Sequence, residues 1–276
     1  MDGEVIDMQV ASMHEFSRAK RLLRSPLLII TVFLLLAGRV AAQEAPATTE
    51  GEGENSKAIT WGFEADYNGK YVWRGLGFSQ GAVMQPSLWV TARGATFSVW
   101  ANRELESVDG PQLNEIDYCL SWEGKWHKAI LEPCLQVYTY PDQQDSPATA
   151  MADLKISWPL GRLSVFTIQS FDVHEYSGAY YGDVGLCYEK ELSSRTRMES
   201  SISLGWASAK FNETYIGPHK SALNVASLGI GLTYTAENGF YIRPHLSLTR
   251  LLNGTLRDAV EDPDIVNFGV AVGMEF

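Results

Sequence analysis

Basic residues are scarce in this chain of 276 residues, which has 22 Lys and Arg against 33 Asp and Glu and a net charge of −11. A negative balance of this kind argues against binding to nucleic acid and against docking on anionic lipid, because both partners repel it. Glycine-rich phosphate loops and dinucleotide fingerprints are also missing, so we expect no cofactor.

Cysteine is rare as well, and it occurs only at Cys119, Cys134 and Cys187. Pairing through a predicted tight turn at Gly124-Lys125 sets Cys119 opposite about residue 130, too far along the strand from Cys134 for a simple bridge. We therefore expect no obligatory disulfide, although the register can slip at Pro133.

Long apolar runs are limited to residues 27–37, which four bases precede and Val40-Ala41-Ala42 follows. This run has the length of a secretory h-region and is too short to span a bilayer, so we expect residues 1–42 to be a cleaved signal peptide. A retained N-terminal anchor is the alternative. Residues 43–57 are polar and acidic and predict a disordered periplasmic segment. Removing the signal peptide leaves a net charge of about −12 on the exported part.

Without a second long apolar run, any membrane crossing must be made by strands. Residues 265–276 show the pattern: Phe268 and Phe276 lie on an apolar parity, and Asn267 and Glu275 lie on a small or polar one. Similar alternation recurs over residues 58–276 and predicts about 12 strands of about 10 residues, joined by long and short connections in turn.

The predicted fold is an all-β, transmembrane, antiparallel up-and-down β-barrel with long extracellular loops and short periplasmic turns. A water-soluble β-sandwich is the alternative, but it does not account for carboxylates on the face opposite the bulky side chains. Aromatic residues near strand ends agree with interfacial girdles. These are Trp61, Tyr67, Trp122, Trp158, Tyr188, Trp206 and Tyr234.

A series of short motifs resembles the Gcw_chp family of bacterial outer-membrane, porin-like barrels. It consists of Tyr71-Val-Trp-Arg-Gly75, Ser79, Gln85-Pro86, Val99-Trp-Ala-Asn102 and Glu115-Ile-Asp-Tyr118. The resemblance covers about the first third of the mature domain and departs from the family at Gly77-Phe78 and Cys119. It implies an outer-membrane location in a Gram-negative cell and a porin-like barrel of undefined substrate. The motif residues carried over are Tyr71, Trp73, Arg74, Gly75, Glu115 and Asp117.

Strand parity places several charged side chains in the lumen. Glu115 and Asp117 point inward two residues apart, and their mutual repulsion calls for a nearby cation. Our hypothesis is that Arg74 is this cation and that the Trp-Arg-Gly segment folds inward to form a constriction. A solvated Arg74 at the barrel mouth is the alternative.

Inward carboxylates outnumber inward bases, and rings of acid select cations by their field, so we expect a weakly cation-preferring pore. At about 12 strands the lumen can be either open or occluded. The predicted inward acids are Glu64, Asp66, Glu115, Asp117, Glu132, Asp153, Asp183, Glu189 and Glu199, and the predicted inward bases are Lys128, Lys155, Arg197 and Arg243.

Catalysis and metal binding have weaker support. His245 and Ser247 share a face, as a base and a nucleophile would, but the lipid-facing parity is taken by apolar side chains, and no oxyanion element follows. Glu261, Asp262 and Asp264 lack the spacing of a calcium loop. We therefore expect no enzyme and no metal site, with His245 and Arg243 lining the lumen.

The sequence thus predicts passive or weakly cation-selective passage of small solutes through an outer-membrane barrel. A non-transporting barrel that binds or scaffolds cell-envelope partners is the second hypothesis, and a lipid-modifying hydrolase is the third. The expected partners are outer-membrane lipid or lipopolysaccharide, small solutes, and the barrel-assembly machinery, for which Phe276 is the C-terminal signal.

Overall fold

The computed structural model describes residues 59–106, 112–141, 143 and 146–276. The predicted signal peptide and the segment 43–57 lie outside these residues. Twelve long strands, three short strands and two short helices are present in the described part of the chain. They are β1 (Ile59–Asn68), β2 (Val72–Trp73), β3 (Leu76–Gly77), β4 (Val83–Ala92), β5 (Ala95–Glu104), β6 (Gln112–Trp122), β7 (Gly124–Trp126), β8 (Ala129–Thr139), β9 (Thr149–Leu160), β10 (Leu163–Asp172), β11 (Tyr180–Ser193), β12 (Thr196–Ala207), α1 (Ala209–Tyr215), β13 (Ala222–Thr235), β14 (Phe240–Leu251), α2 (Gly254–Arg257) and β15 (Asp264–Glu275).

The long strands form one antiparallel sheet that closes on itself. Strand β1 pairs with β4 on one side and with β15 on the other, and β6 pairs with β8 to complete the cylinder. The short strands β2 and β3 form a separate hairpin, and β7 continues β6 along β8. The predicted antiparallel barrel of about 12 strands is therefore confirmed.

Connections alternate in length around the barrel, as predicted. Turns of two to four residues join the strands at one end, and the connections at the other end are longer, the longest being residues 69–82 and 208–221. The predicted turn at Gly124-Lys125 is wrong, because both residues belong to β7 and the chain reverses at His127 and Lys128. His127 has a φ of 53°, which suits a tight hairpin, and Lys128 therefore lies in a turn and not in the lumen wall.

Large apolar side chains cover the outside of the cylinder. Trp61, Ile230 and Phe268 are 50%, 48% and 54% exposed, which rules out a β-sandwich in which they would meet in a shared interior. Successive side chains along each strand alternate between this apolar exterior and an interior of smaller, more polar side chains, as the period of a strand requires. In β10, where the sequence left the faces open, Phe166 and Ile168 point inward, because they pair with Gly185 and Asp183.

Part of the interior is apolar, which agrees with the occluded one of the two alternatives that the sequence left open for the lumen. At the end with the long connections, side chains of the barrel wall pack against β2–β3, α1 and neighbouring connections. The fully buried members include Met151, Phe211, Val225 and Leu251. Inward parity does not show which side chains meet an inserted segment, so the sequence could not distinguish this core from a solvated wall. Neither helix in the described part of the chain has the length and apolarity to span a bilayer.

Candidate functional site in the barrel lumen

The hairpin of β2 and β3, Val72–Gly77, folds into the barrel and is called the inner hairpin here. Arg74 and Gly75 form its two-residue turn with φ values of 51° and 83°, the combination that a type I′ turn requires. A Cβ atom on Gly75 would lie 2.6 Å from Cγ2 of Val225, so the turn approaches the wall at β13 closely. Only glycine satisfies both the backbone angle and the space.

Hydrogen bonds hold the ends of the inner hairpin. The Tyr71 amide donates to Ser79 Oγ at 2.8 Å, and the Phe78 amide donates to the Tyr71 carbonyl at 2.8 Å. The Lys70 amide donates to Asn267 Oδ1 at 3.0 Å, and the Lys70 ammonium forms an ion pair with Asp262. These bonds fix the start of the connection 69–82 against β15.

Aromatic contacts pack the inner hairpin against the wall and α1. The Trp73 ring lies 5.2 Å from Tyr215, 5.9 Å from Phe211 and 6.2 Å from Tyr138, between ring centroids. Edge-on and tilted aromatic pairs at such distances contribute about 0.5–1.5 kcal/mol each beyond burial. Ser208 begins α1 by accepting a hydrogen bond from the Phe211 amide, which presents Phe211 and Tyr215 to the lumen.

Arg74 lies inside the barrel, with its guanidinium between aromatic rings. Its Cζ is 4.4 Å from the Trp73 centroid, 4.5 Å from Tyr181 and 5.4 Å from Phe211, which is cation–π geometry. Among the described residues, no carboxylate is within ion-pairing distance of Arg74. The side chain is therefore held by rings and not by a salt bridge.

The structure does not bring Arg74 to Glu115 and Asp117 as hypothesised. Both carboxylates are buried, at 7% and 5% exposure, and Asp117 Oδ2 accepts a 3.1 Å hydrogen bond from Gln136. They lie near Tyr71, and burial first and then the charges of Glu115 and Asp117 raise the pKa of that phenol. Glu115 lines a small cavity of about 40 Å³ together with Tyr71 and other rings.

Arg74 instead lines a central cavity of about 390 Å³ with Asp153 and Asp183. Six buried side-chain polar atoms in the described residues have no hydrogen-bond partner, and five of them belong to residues that line this cavity. These five atoms are Arg74 Nη1, Asp153 Oδ1, Ser170 Oγ, Asp183 Oδ1 and Thr249 Oγ1. These five atoms make the wall of the central cavity polar.

Four of the predicted lumen residues, Glu64, Asp66, Arg243 and His245, form two pairs between β1 and β14. Arg243 Nη2 donates to both carboxylate oxygens of Glu64, at 2.8 and 2.7 Å, and Tyr241 Oη donates to Glu64 at 2.6 Å. His245 Nε2 lies 3.0 and 3.2 Å from the oxygens of Asp66. Glu64, Asp66, Arg243 and His245 were predicted to face the lumen. Their pairing was not predicted, because β1 and β14 are not adjacent and β15 lies between them.

A row of amide side chains crosses five neighbouring strands and was missed by the sequence analysis. Asn267 donates to Asn68 at 2.9 Å, and Asn68 donates to Gln85 at 3.1 Å. Gln85 donates to Asn102 at 2.9 Å, and Asn102 donates to Asn114 at 2.7 Å. The signal in the sequence is one inward amide on each of β15, β1, β4 and β5, whereas Asn114 has the outward parity of Ile116 and joins the row because the register shifts between β5 and β6. This amide row supports the wall beneath the connection 69–82.

No catalytic or metal constellation is assembled in the described part of the chain. His245 bonds to Asp66, and no hydrogen bond joins it to Ser247, which lines the central cavity. No group of three or more His, Cys, Asp or Glu among the described residues is placed to hold a metal ion. Asp264, predicted as loop charge, begins β15 and forms an ion pair with Arg257 at 2.7 Å.

The chain was compared with known proteins at the levels of sequence and structure. No protein-family model and no curated protein matches it. Solved structures that resemble it include the NanC porin (TM-score 0.48, 12% identity, 78% of this chain and 98% of that chain) and the KdgM porin (0.46, 12%, 79% and 99%). An outer membrane channel from Pseudomonas putida F1 is also similar (0.44, 12%, 82% and 100%). Likeness at this level says nothing about what this chain binds or transports.

Proposed function

We propose that this chain is an outer-membrane channel for small polar solutes, with a preference for cations, and that the inner hairpin narrows its extracellular mouth. The central cavity carries the proposal, because a lumen chamber lined by carboxylate oxygens without partners suits a cationic or strongly hydrogen-bonding solute. We also propose that the chain is related to the Gcw_chp family, whose motifs its sequence resembles.

The exterior supports a membrane location. A closed sheet has no free edge and satisfies its backbone hydrogen bonds internally, which a strand-built membrane protein requires. Exposed apolar side chains such as Leu228, Ile230 and Phe268 form the lipid-facing surface, and Trp61 and Tyr67 lie near opposite ends of β1. Long connections face outward from the cell in such barrels, which places the inner hairpin at the extracellular side.

The charge inside the barrel supports cation preference. Arg243 neutralises Glu64, and Lys155 lies 2.8 Å from Glu132, so these acids contribute little net field. Of the acids predicted to point inward, five have no basic partner within ion-pairing distance among the described residues, and the inward base Arg74 has no acidic partner at that distance. The five are Glu115, Asp117, Asp153, Asp183 and Glu199.

Reversal potentials in planar bilayers test this proposal. Refolded protein in a KCl gradient should give the sign of a cation-preferring pore, and the double variant Asp153→Asn/Asp183→Asn should move the potential toward zero. Glu237→Gln is the matched control, because Glu237 is an exposed turn residue outside the lumen. An anion-preferring wild-type pore, or equal effects of both variants, would overturn the proposed selectivity.

A second function is favoured by the apolar core around the inner hairpin. Phe211 and Leu251 are fully buried in this core at the extracellular half, as expected of a non-transporting barrel that binds an envelope partner. Absence of single-channel current from both the wild type and a variant with a displaced inner hairpin would favour this second function.

A further inference from the structure

We propose that Cys119 and Cys134 are joined by a disulfide that links β6 to β8, where the sheet closes into a barrel. The proposal rests on export to the envelope, because disulfides form and persist in the oxidising periplasm. It concerns a covalent modification that the channel function neither requires nor implies.

The register of the two strands brings the cysteines together. Cys119 is opposite Gln136, and Ser121 is opposite Cys134, so the two cysteines are diagonal neighbours on the same face of the sheet. Their Sγ atoms are 2.6 Å apart. A disulfide places sulfur atoms at about 2.05 Å, so the two Sγ atoms need to approach only slightly for the bond to form.

The separation expected from the sequence, with Cys119 opposite about residue 130, is wrong because the turn was misplaced. The true turn at His127 and Lys128 shifts the partner of Cys119 from about residue 130 to Gln136. Strand β7 keeps the same register, with Gly124 opposite Leu131, so the pairing is continuous from the turn to Ile116. No slip at Pro133 is needed to bring Cys134 into reach.

Cys187 is not a competing partner. It lies on β11, opposite Ser201 and Ser164, and strands β9 and β10 separate it from β8. Its Sγ donates a long hydrogen bond of 3.9 Å to Glu199 Oε1. The odd number of cysteines therefore resolves into one pair and one free thiol.

The reaction requires an oxidant, which we assign to the class of envelope dithiol–disulfide exchange proteins. The thiolate of one cysteine attacks the oxidant's disulfide and expels one of its thiolates, and the thiolate of the second cysteine then attacks this mixed disulfide and expels the oxidant's other thiolate. Cys119 and Cys134 together lose two protons and two electrons, and the oxidant's disulfide becomes two thiols. The new S–S bond closes the segment that contains the His127 turn.

Thiol counting on protein from envelopes tests the bridge. After denaturation and alkylation without reductant, the wild type should carry one alkylated cysteine, mapped to Cys187, and all three after reduction. Cys119→Ser and Cys134→Ser should each leave two alkylated cysteines without reductant, and the matched control Cys187→Ser should leave none. Three alkylated cysteines in the unreduced wild type, or a bridge that contains Cys187, would overturn the proposal.

A second experiment separates the bridge from the channel. Barrel refolded from reduced, unexported protein is treated with oxidised glutathione, and the same alkylation count is made. Formation of the Cys119–Cys134 bond here supports the geometry even if export fails, and free thiols in a barrel that conducts would overturn the bridge alone. The Cys134→Ser variant should still conduct, since neither cysteine lines the central cavity.

Discussion

Arg74 is a basic residue whose side chain lies inside the barrel. It has a left-handed backbone angle, stacks against Trp73 and Tyr181, and adds the one unpaired positive charge to the central cavity. The ring contacts of Arg74 hold the inner hairpin in place. Its Nη1 atom has no hydrogen-bond partner and faces the same cavity as the carboxylates, so its charge reduces the negative field there. These two roles lead to a test with two readouts.

Replacing Arg74 with Ala should lower thermal stability and strengthen cation preference. Each lost cation–π contact is worth roughly 0.5–2 kcal/mol, and removal of the charge leaves Asp153 and Asp183 unopposed. The measurements are the heat-induced mobility shift of the folded barrel and the reversal potential. Arg93→Ala is the control, because Arg93 has the same backbone angle, φ 52°, in a short turn. Unchanged stability and potential in Arg74→Ala would contradict the inward role.

Among the secondary-structure elements, the inner hairpin is not explained by the alternation of strands and connections around the barrel. Its four-residue core Trp73–Leu76 uses the same Arg-Gly turn as the short hairpin at Arg93 and Gly94, yet it lies inside the cylinder. The difference comes from its neighbours, since Trp73 packs on α1 and Gly75 contacts Val225. Displacing this hairpin should therefore open the extracellular half of the lumen.

The variant Gly75→Ala should raise single-channel conductance several-fold, because the new Cβ would lie 2.6 Å from Val225 and must push the turn away from the wall. Gly161→Ala is the matched control. Gly161 also has a positive φ, 74°, but a Cβ there meets nothing within 4 Å, so only the backbone cost of about 1 kcal/mol applies. Equal conductance in both variants would show that the inner hairpin does not control the passage.

At the scale of the whole molecule, closure depends on both ends of the described chain. Phe276 stacks on Trp61 with ring centroids 4.2 Å apart, and its amide donates to the Trp61 carbonyl at 2.8 Å. This contact joins β15 to β1 at the end with the short turns. The apolar belt then runs around the complete circumference, so charge is tolerated on one face of the wall and not on the other.

The variant Ile230→Arg places a charge in the apolar outer face of the barrel. It should lower the stability of the barrel in a bilayer by about 2–4 kcal/mol, as expected for a charge near the membrane midplane. Thr233→Arg places the same side chain on the lumen face of β13 and should cost much less. Urea unfolding in liposomes, followed by Trp fluorescence, measures both. Similar losses for Ile230→Arg and Thr233→Arg would contradict the assignment of the two faces.

Much of this architecture could be predicted from the sequence. Alternation such as that of Phe268 and Asn267 is a local property, because successive side chains on a strand point to opposite faces whatever surrounds them. The number of strands, the alternation of long and short connections and the inward parity of Glu64, Asp66 and Arg243 follow from it. The turn after β6 was the local error, because His127 and Lys128 lack the usual glycine.

The amino-acid sequence by itself determined a closed β-barrel with an apolar outside and an acidic inside. The alternation of side chains and the spacing of turns are local properties of the sequence. Only the tertiary structure decided which inward residues meet. Asn68 and Asn267 are 199 positions apart, and Glu64 and Arg243 are 179 apart, so closure of the cylinder alone brings them into contact. The same closure places Arg74 among Trp73, Tyr181 and Phe211, because the position of an inserted hairpin depends on the volume that the walls leave for it.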